Sequence, residues 1–138
     1  LEQNFDNHSI KTFVFDKNNT DTIETNENLI NLLKNEGLNI KFIKCGSDSK
    51  IMQKREQWTD GANAFALSPG KIIGYDCNKY TLKELKKANY TIISSQKYIE
   101  NYRTYNNSNE KIVITIKGSE LLRGRGGPRC LTLPIFRI

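Results

Sequence analysis

Apolar and polar residues alternate over some stretches of the chain and recur every three to four residues over others, and these two periods divide it into predicted elements. Lys11-Thr-Phe-Val-Phe15 is a short β-rich run, and a polar Asn/Asp/Thr loop follows through Thr25. Leu29, Ile30, Leu32 and Leu33 put an apolar face on a helix over 27–36 that ends at Gly37. Residues 39–44 alternate apolar and polar, as a strand does. A short helix is predicted over 49–57, with Ser47 or Ser49 as its cap. Two strands, 63–68 and 71–75, are joined by Pro69-Gly70, a two-residue hairpin connection. Thr81, with Glu84 three residues on, opens a helix over 81–88. A strand over 90–94 comes next, and the Tyr- and Asn-rich stretch 98–109 reads as a loop, with 95–110 as a surface insertion. The chain then offers a strand over 111–116, a turn or one short helical turn over 117–122, a loop of glycine and arginine up to Cys130, and a final strand over 131–136.

The order strand–strand–helix–strand from residue 63 to 94, preceded by a helix–strand piece, predicts an α/β architecture with its chemistry on loops at one end of the strands. With 138 residues the chain is the size of one domain, and 37% hydrophobic against 26% charged residues fits a folded, soluble class. No apolar run approaches the ~20 residues a membrane span needs. The start, Leu-Glu-Gln-Asn-Phe-Asp, has no secretion-signal pattern, and the missing initiator Met suggests a piece of a longer protein. The net charge of +6 is spread along the chain, with Lys83, Lys86 and Lys87 at helical spacing among polar residues. Solvated helix faces explain this better than a nucleic-acid patch does. Three cysteines without paired spacing fit neither a disulfide framework nor a zinc site, and point to a reducing cytoplasm.

Two stretches could carry chemistry. Arg123-Gly-Arg-Gly-Gly-Pro-Arg-Cys130 holds three glycines, three arginines and a proline in eight residues, so its backbone must turn tightly and can pass close to a ligand. Cys130 stands where a nucleophile is often presented, and Arg123, Arg125 and Arg129 would favour its thiolate. A structural cysteine at a strand start, or an Arg-Gly loop touching phosphate, are the alternatives at this point. Arg55-Glu-Gln-Trp-Thr-Asp-Gly-Ala-Asn63 gathers an arginine, two carboxylates, two amides and an indole around a glycine turn. It reads either as recognition of a substrate bearing both charges or as a turn, Asp60-Gly61, feeding a hairpin. His8, the sole histidine, lies in a polar segment and reads as a surface residue, while Cys45 and Cys77 read as core or turn residues.

Together the two stretches resemble the arginine deiminase family of the pentein, or guanidino-group-modifying, superfamily. Arg55-Glu-Gln-Trp, Asp60-Gly-Ala-Asn63, Pro69-Gly70 and Gly74-Tyr-Asp-Cys-Asn78 are similar to one ordered segment of that family, and 118–134 to its C-terminal signature ending in the nucleophile. The resemblance implies a partial pentein-type β/α propeller of ββαβ units, with 1–138 as the C-terminal fragment of one catalytic domain. It implies hydrolysis of L-arginine to L-citrulline and ammonia through a covalent amidino-cysteine on Cys130, with no metal and no cofactor. Gly124, Arg125 and Asn63 fall on substrate-binding or cleft positions. The family's His-x-Asp motif belongs to a remainder of the enzyme upstream of this segment; His8-Ser9-Ile10 does not match it, so the fragment is expected to be inactive alone. Ala62 and Cys77 depart from residues common in the family, Cys77 standing where arginine is frequent. The 95–110 insertion could shape contacts in a homo-oligomer; no nucleic-acid or membrane partner is expected. A related agmatine or methylarginine deiminase, and a basic nucleic-acid-binding module, are the alternatives.

Overall fold

Ile112-Val-Ile-Thr-Ile116 is the most apolar short run of the chain, and it becomes a central strand of the four-stranded sheet. In a computed structural model, which describes residues 12–16, 19–25, 29–133 and 135, the chain divides into two units, Leu1–Phe42 and Ile43–Ile138.

In the first unit, β1 (Thr12–Asp16) pairs antiparallel with β2 (Asn19–Thr25), setting Val14 opposite Ile23 and Phe13 opposite Glu24. The expected polar loop through Thr25 is therefore corrected to a strand. Its alternating threonines are good strand formers despite their polarity. Helix α1 (Leu29–Asn35) ends at Gly37 as predicted, with the Gly37 N–H donating to Lys34 O and the Leu38 N–H to Leu33 O, the double bond of a Schellman cap. The strand expected over 39–44 does not form: alternation supplies a face, but among the described residues no neighbouring strand accepts its hydrogen bonds. His8 lies outside the described residues.

The second unit opens with α2 (Lys50–Trp58), capped by Ser49, whose hydroxyl accepts the Met52 N–H at 3.4 Å. Strands β3 (Phe65–Ser68) and β4 (Lys71–Tyr75) form the expected hairpin across Pro69-Gly70. Helix α3 (Lys79–Lys87) leads to β5 (Thr91–Ser94), two short helices α4 (Ser95–Glu100) and α5 (Tyr102–Asn106) follow, and β6 (Ile112–Ile116) completes the sheet. The sheet order is β3-β4-β6-β5, with β6 parallel to both β4 and β5 and β3 antiparallel at one edge. This is a mixed α/β fold with an open four-stranded sheet. The last strand to be made slots between two earlier ones, so the parallel centre is buried and its apolar run continuous.

Ile93, Ile112, Ile114 and Tyr98 form the core, with Ile73 and Tyr105 packed against them. Tyr98 is 5% exposed and stacks on Tyr105 with ring centroids 6.0 Å apart. The loop expected over 98–109 is thus corrected to helix for most of its length. Most of 95–110 remains at the surface, but Tyr98 fastens it to the core. The final strand expected over 131–136 is absent among the described residues there; Cys130 and Leu131 instead close a turn on Gly127 O.

Candidate active-site loops

Strands β4 and β6 run parallel and end together at Tyr75 and Ile116, so the segments that follow them emerge on one side of the sheet. In open α/β sheets that carboxyl end is where loops converge on ligands. The glycine–arginine loop is built there in three parts. Leu121–Gly124 makes a single 3-10 turn; Arg125 follows at φ +57°; and 127–131 closes a further turn, the Cys130 N–H donating to Gly127 O at 3.0 Å. Tyr75, 1% exposed at the end of β4, donates its hydroxyl to Gly126 O at 2.8 Å. Its ring lies flat against Gly118, where an added Cβ would come within 2.2 Å of it. The sheet therefore grips the loop at both ends through one tyrosine.

The other stretch is positioned from α2. Beyond Trp58 the chain leaves the helix through bonds from the Thr59 N–H to Arg55 O, the Asp60 N–H to Gln57 O at 3.2 Å and the Gly61 N–H to Glu56 O at 2.7 Å. Asp60 sits at φ +55°, a left-handed conformation that Asp and Asn adopt more readily than most residues. Asn78 braces the turn by donating its amide to Thr59 O at 2.9 Å. Glu56, only 3% exposed, then ties the whole assembly to α3. Its carboxylate accepts the Tyr80 N–H (2.8 Å), the Thr81 N–H (2.7 Å) and the Thr81 hydroxyl (2.6 Å). This corrects the expected capping at Thr81. The helix begins two residues earlier, Asn78 makes no side-chain cap bond, and a carboxylate from α2 satisfies the first-turn donors.

The two stretches meet at two places. Asn63 donates its side-chain amide to Cys130 Sγ at 2.9 Å, and Gly127 packs so tightly on Asn63 that a Cβ there would stand 2.4 Å from its side chain. Arg125 lays its guanidinium over the Trp58 ring, 4.1 Å from the centroid, a cation–π contact. Cys130 itself is solvent-exposed. Gln57, Asp60, Ala62, Asn63, Ala64 and Arg129 line an open cleft of about 390 Å³ beside it. Two oxygens at this cleft, Asp60 Oδ2 and Asn63 Oδ1, are buried and have no hydrogen-bond donor among the described residues.

Of the residues singled out from sequence, Cys130 and Asn63 touch, Arg125 reaches the same two stretches through Trp58, and Gly124 stands open with nothing within 4 Å of an added Cβ. Arg123 lies 3.4 Å from Glu120 in an exposed pair, while Arg129 lines the cleft. Cys45 and Cys77 both fall in turns, as read. Burial pushes both thiols up; the Glu56 charge adds to it for Cys45 while the Thr81 hydroxyl opposes it, and the Asp76 charge adds to it for Cys77. Tyr75 is pushed up chiefly by burial and next by the negative charges of Asp60, Cys130 and Cys77 around it. Sequence reasoning missed Tyr75 as the loop's anchor and Glu56 as a distant cap, because neither contact leaves a local pattern. Trp58 was noted only as part of its stretch. Among the described residues, no cluster of His, Cys, Asp or Glu could hold a metal ion, and no helix is long and apolar enough to cross a membrane.

A loop-borne thiol, an amide on its sulfur and unpaired acceptors at an adjoining cleft define an α/β segment with a cysteine-centred polar site. The comparisons with known proteins narrow this class. The arginine deiminase family model matches residues 3–137, and the chain belongs to the arginine deiminase family. It is 37% identical over 125 residues to the arginine deiminase of Mycoplasma capricolum, covering 90% of this chain and 26% of that protein. Against the arginine deiminase of Oenococcus oeni it is 35% identical over 124 residues, 88% of this chain and 25% of the relative. Against that of Listeria innocua it is 41% identical over 98 residues, 71% and 19% respectively. The chain thus spans about a quarter of the length of the first two of these relatives.

Proposed function

We propose that the chain is the cysteine-bearing C-terminal portion of an enzyme that hydrolyses L-arginine to L-citrulline and ammonia. The observation that carries this reading is the 2.9 Å contact between the Asn63 amide and Cys130 Sγ. It joins two stretches that are far apart in sequence and that each resemble the family on their own.

In this mechanism the Cys130 thiolate adds to the guanidinium carbon of arginine, forming a C–S bond and a tetrahedral adduct. Collapse breaks a C–N bond, and the departing nitrogen takes a proton and leaves as ammonia. The amidino group remains on sulfur. Water adds to the same carbon, the C–S bond breaks, and citrulline departs with the thiolate restored. Two displacements of modest barrier thus replace one hard one. The proton transfers fall to the His-x-Asp remainder of the protein that the family resemblance implies, so this chain alone is expected to be inactive. Asn63 positions the sulfur through its amide. Arg125, held on Trp58, and the exposed backbone of Gly124 are available to the far end of the substrate. No cofactor enters the scheme.

The ββαβ order from Phe65 to Ser94 supports a partial pentein-type propeller, with the open sheet as part of one blade. The unpaired spacing of the three cysteines supports a reducing, cytoplasmic setting, and the exposed face of α4 and α5 is the surface we assign to self-association. Arginine is preferred to agmatine or methylarginine because the family matched is arginine deiminase.

The test is made in the full-length protein. Cys130→Ser is expected to lower citrulline formation by roughly three orders of magnitude or more. Mass spectrometry of the quenched parent enzyme should find an amidino adduct on the peptide bearing Cys130. Citrulline production by the serine variant at the parent's rate overturns the reading, and product analysis with agmatine in place of arginine decides the substrate.

A further inference from the structure

The lysines of α3 read from sequence as a solvated face, and the structure adds what spacing alone does not carry, a wall across from them. Ser47, Tyr80, Lys83, Lys86 and Lys87 line an open pocket of about 400 Å³, a size that suits a small ligand. It shares no lining residue with the cleft beside Cys130. The wall is the turn 45–48, held from two helices. From α2 the Gln53 amide donates to Ser47 O at 2.6 Å. On the α3 side the Gly46 N–H donates to the Thr81 hydroxyl at 2.9 Å, and the Ser47 hydroxyl donates to Glu84 Oε1 at 2.7 Å. Gly46 also lies so close to α2 that an added Cβ would stand 2.4 Å from Gln53 Cα and N. Ser47 is therefore fixed at the pocket.

Charge at the pocket is one-sided. Glu84 is taken up by Lys87, at 2.7 Å, and by Ser47, and these bonds hold its carboxyl below the usual carboxylate value. Asp48 pairs with Lys44 at 3.1 Å. Lys83 and Lys86 have no carboxylate partner among the described residues, and Lys83 lies over the Tyr80 ring, 6.0 Å from its centroid. Lys83 stands three and four residues before Lys86 and Lys87, spacings at which like charges repel on a helix. The helix dipole accounts for Lys86 and Lys87, which lie in the last turn of α3, but not for Lys83.

We infer that this pocket binds the phosphate group of a small molecule, with Lys83 and Lys86 supplying the charge and the Tyr80 hydroxyl a further donor. A lysine ammonium is a compact point charge suited to a tetrahedral phosphate, whereas arginine forks match planar carboxylates, and no arginine lines the pocket. The inference is independent of the reaction at Cys130, so its failure leaves the proposed function standing.

The test titrates inorganic pyrophosphate into the full-length protein by calorimetry at fixed ionic strength. The parent should bind it saturably, and the double variant Lys83→Gln, Lys86→Gln should bind it about tenfold more weakly or worse. The double variant Lys54→Gln, Lys111→Gln loses the same charge from exposed positions outside the pocket and should stay within about twofold of the parent. Adenosine triphosphate then decides the source of the phosphate. Tighter binding than pyrophosphate, lost in Tyr80→Ala, supports a nucleotide, and no gain supports phosphate recognised without a base. No saturable binding by the parent, or equal weakening in the two double variants, overturns the inference. Should the pocket variant not fold, malonate decides on the parent. This planar dicarboxylate should bind about tenfold more weakly than pyrophosphate, and equal binding overturns the assignment to phosphate.

Discussion

Gly127 and Asn63 approach so closely that the smallest side chain at residue 127 has no room. A Cβ there would lie 2.4 Å from both Cβ and Cγ of Asn63, well inside van der Waals contact. Gly127→Ala must therefore push Asn63 aside, and with it the amide that lies on the Cys130 sulfur. Overpacking of this kind costs about 1–3 kcal/mol. In the full-length enzyme, Gly127→Ala is expected to lower kcat by tenfold or more while costing stability within that range. Gly124→Ala is the control for stability, because nothing lies within 4 Å of its added Cβ, and its unfolding midpoint in urea should match the parent's. Equal kcat for Gly127→Ala and the parent would show that Asn63 need not hold the thiol. The tight turning of the loop before Cys130 is legible in the sequence, because three glycines and a proline in eight residues exclude helix and central strand. The Gly127–Asn63 contact is not, because it joins residues 64 positions apart and depends on how two turns face each other.

Helices show where local patterns suffice and where they fail. Gly37 is legible as helix punctuation, and of the two caps offered, Ser47 and Ser49, the structure takes Ser49; each acts on residues within a turn of itself. Thr81 was misread for the opposite reason. Its spacing to Glu84 imitates a capping box, yet Glu84 accepts from Ser47 and Lys87, and Thr81 turns to Glu56. Tyr98, Tyr102 and Tyr105 stand at helical spacing, a signal for α4 and α5 that the abundance of asparagine around them concealed. Residues 39–44 fail in the other direction, having strand alternation but no strand beside them among the described residues. The functional weight falls on Glu56, which joins α2 to α3 and so fixes the turn bearing Asp60 and Asn63. Glu56→Ala leaves three donors without their acceptor and is expected to cost roughly 3 kcal/mol or more. Ser49→Ala, which removes only a local cap, should cost about 1 kcal/mol. Urea unfolding of the full-length variants measures both, and a Glu56→Ala cost no larger than that of Ser49→Ala would show that the cross-helix cap is not what holds the turn.

At the scale of the whole molecule, three groups hold their protons more tightly in the folded state. Tyr75 is raised by burial first and then by the charges of Asp60, Cys130 and Cys77; Cys45 and Cys77 are raised mainly by burial. For each, the folded protein keeps its proton at a pH where the unfolded chain has lost it. Their contribution to stability is therefore complete below the ordinary thiol and phenol values, about 8.5 and 10, and is lost as pH rises through the raised ones. These three groups should give no pH dependence of Tm between pH 6 and 8 and a steepening fall above that, thiols first and Tyr75 after. Tyr75→Phe separates the last part. It removes the phenol that titrates, so the decline above about pH 10 should flatten. It also removes the hydroxyl that holds Gly126 O, so Tm at neutral pH should drop by the equivalent of about 1 kcal/mol. Thermal melts of the full-length parent and the Tyr75→Phe variant across alkaline pH measure both effects. An unchanged alkaline slope would mean that the tyrosine beneath the cysteine loop is not the group whose ionisation loosens it, and that the loop is anchored to the sheet by something other than this phenol.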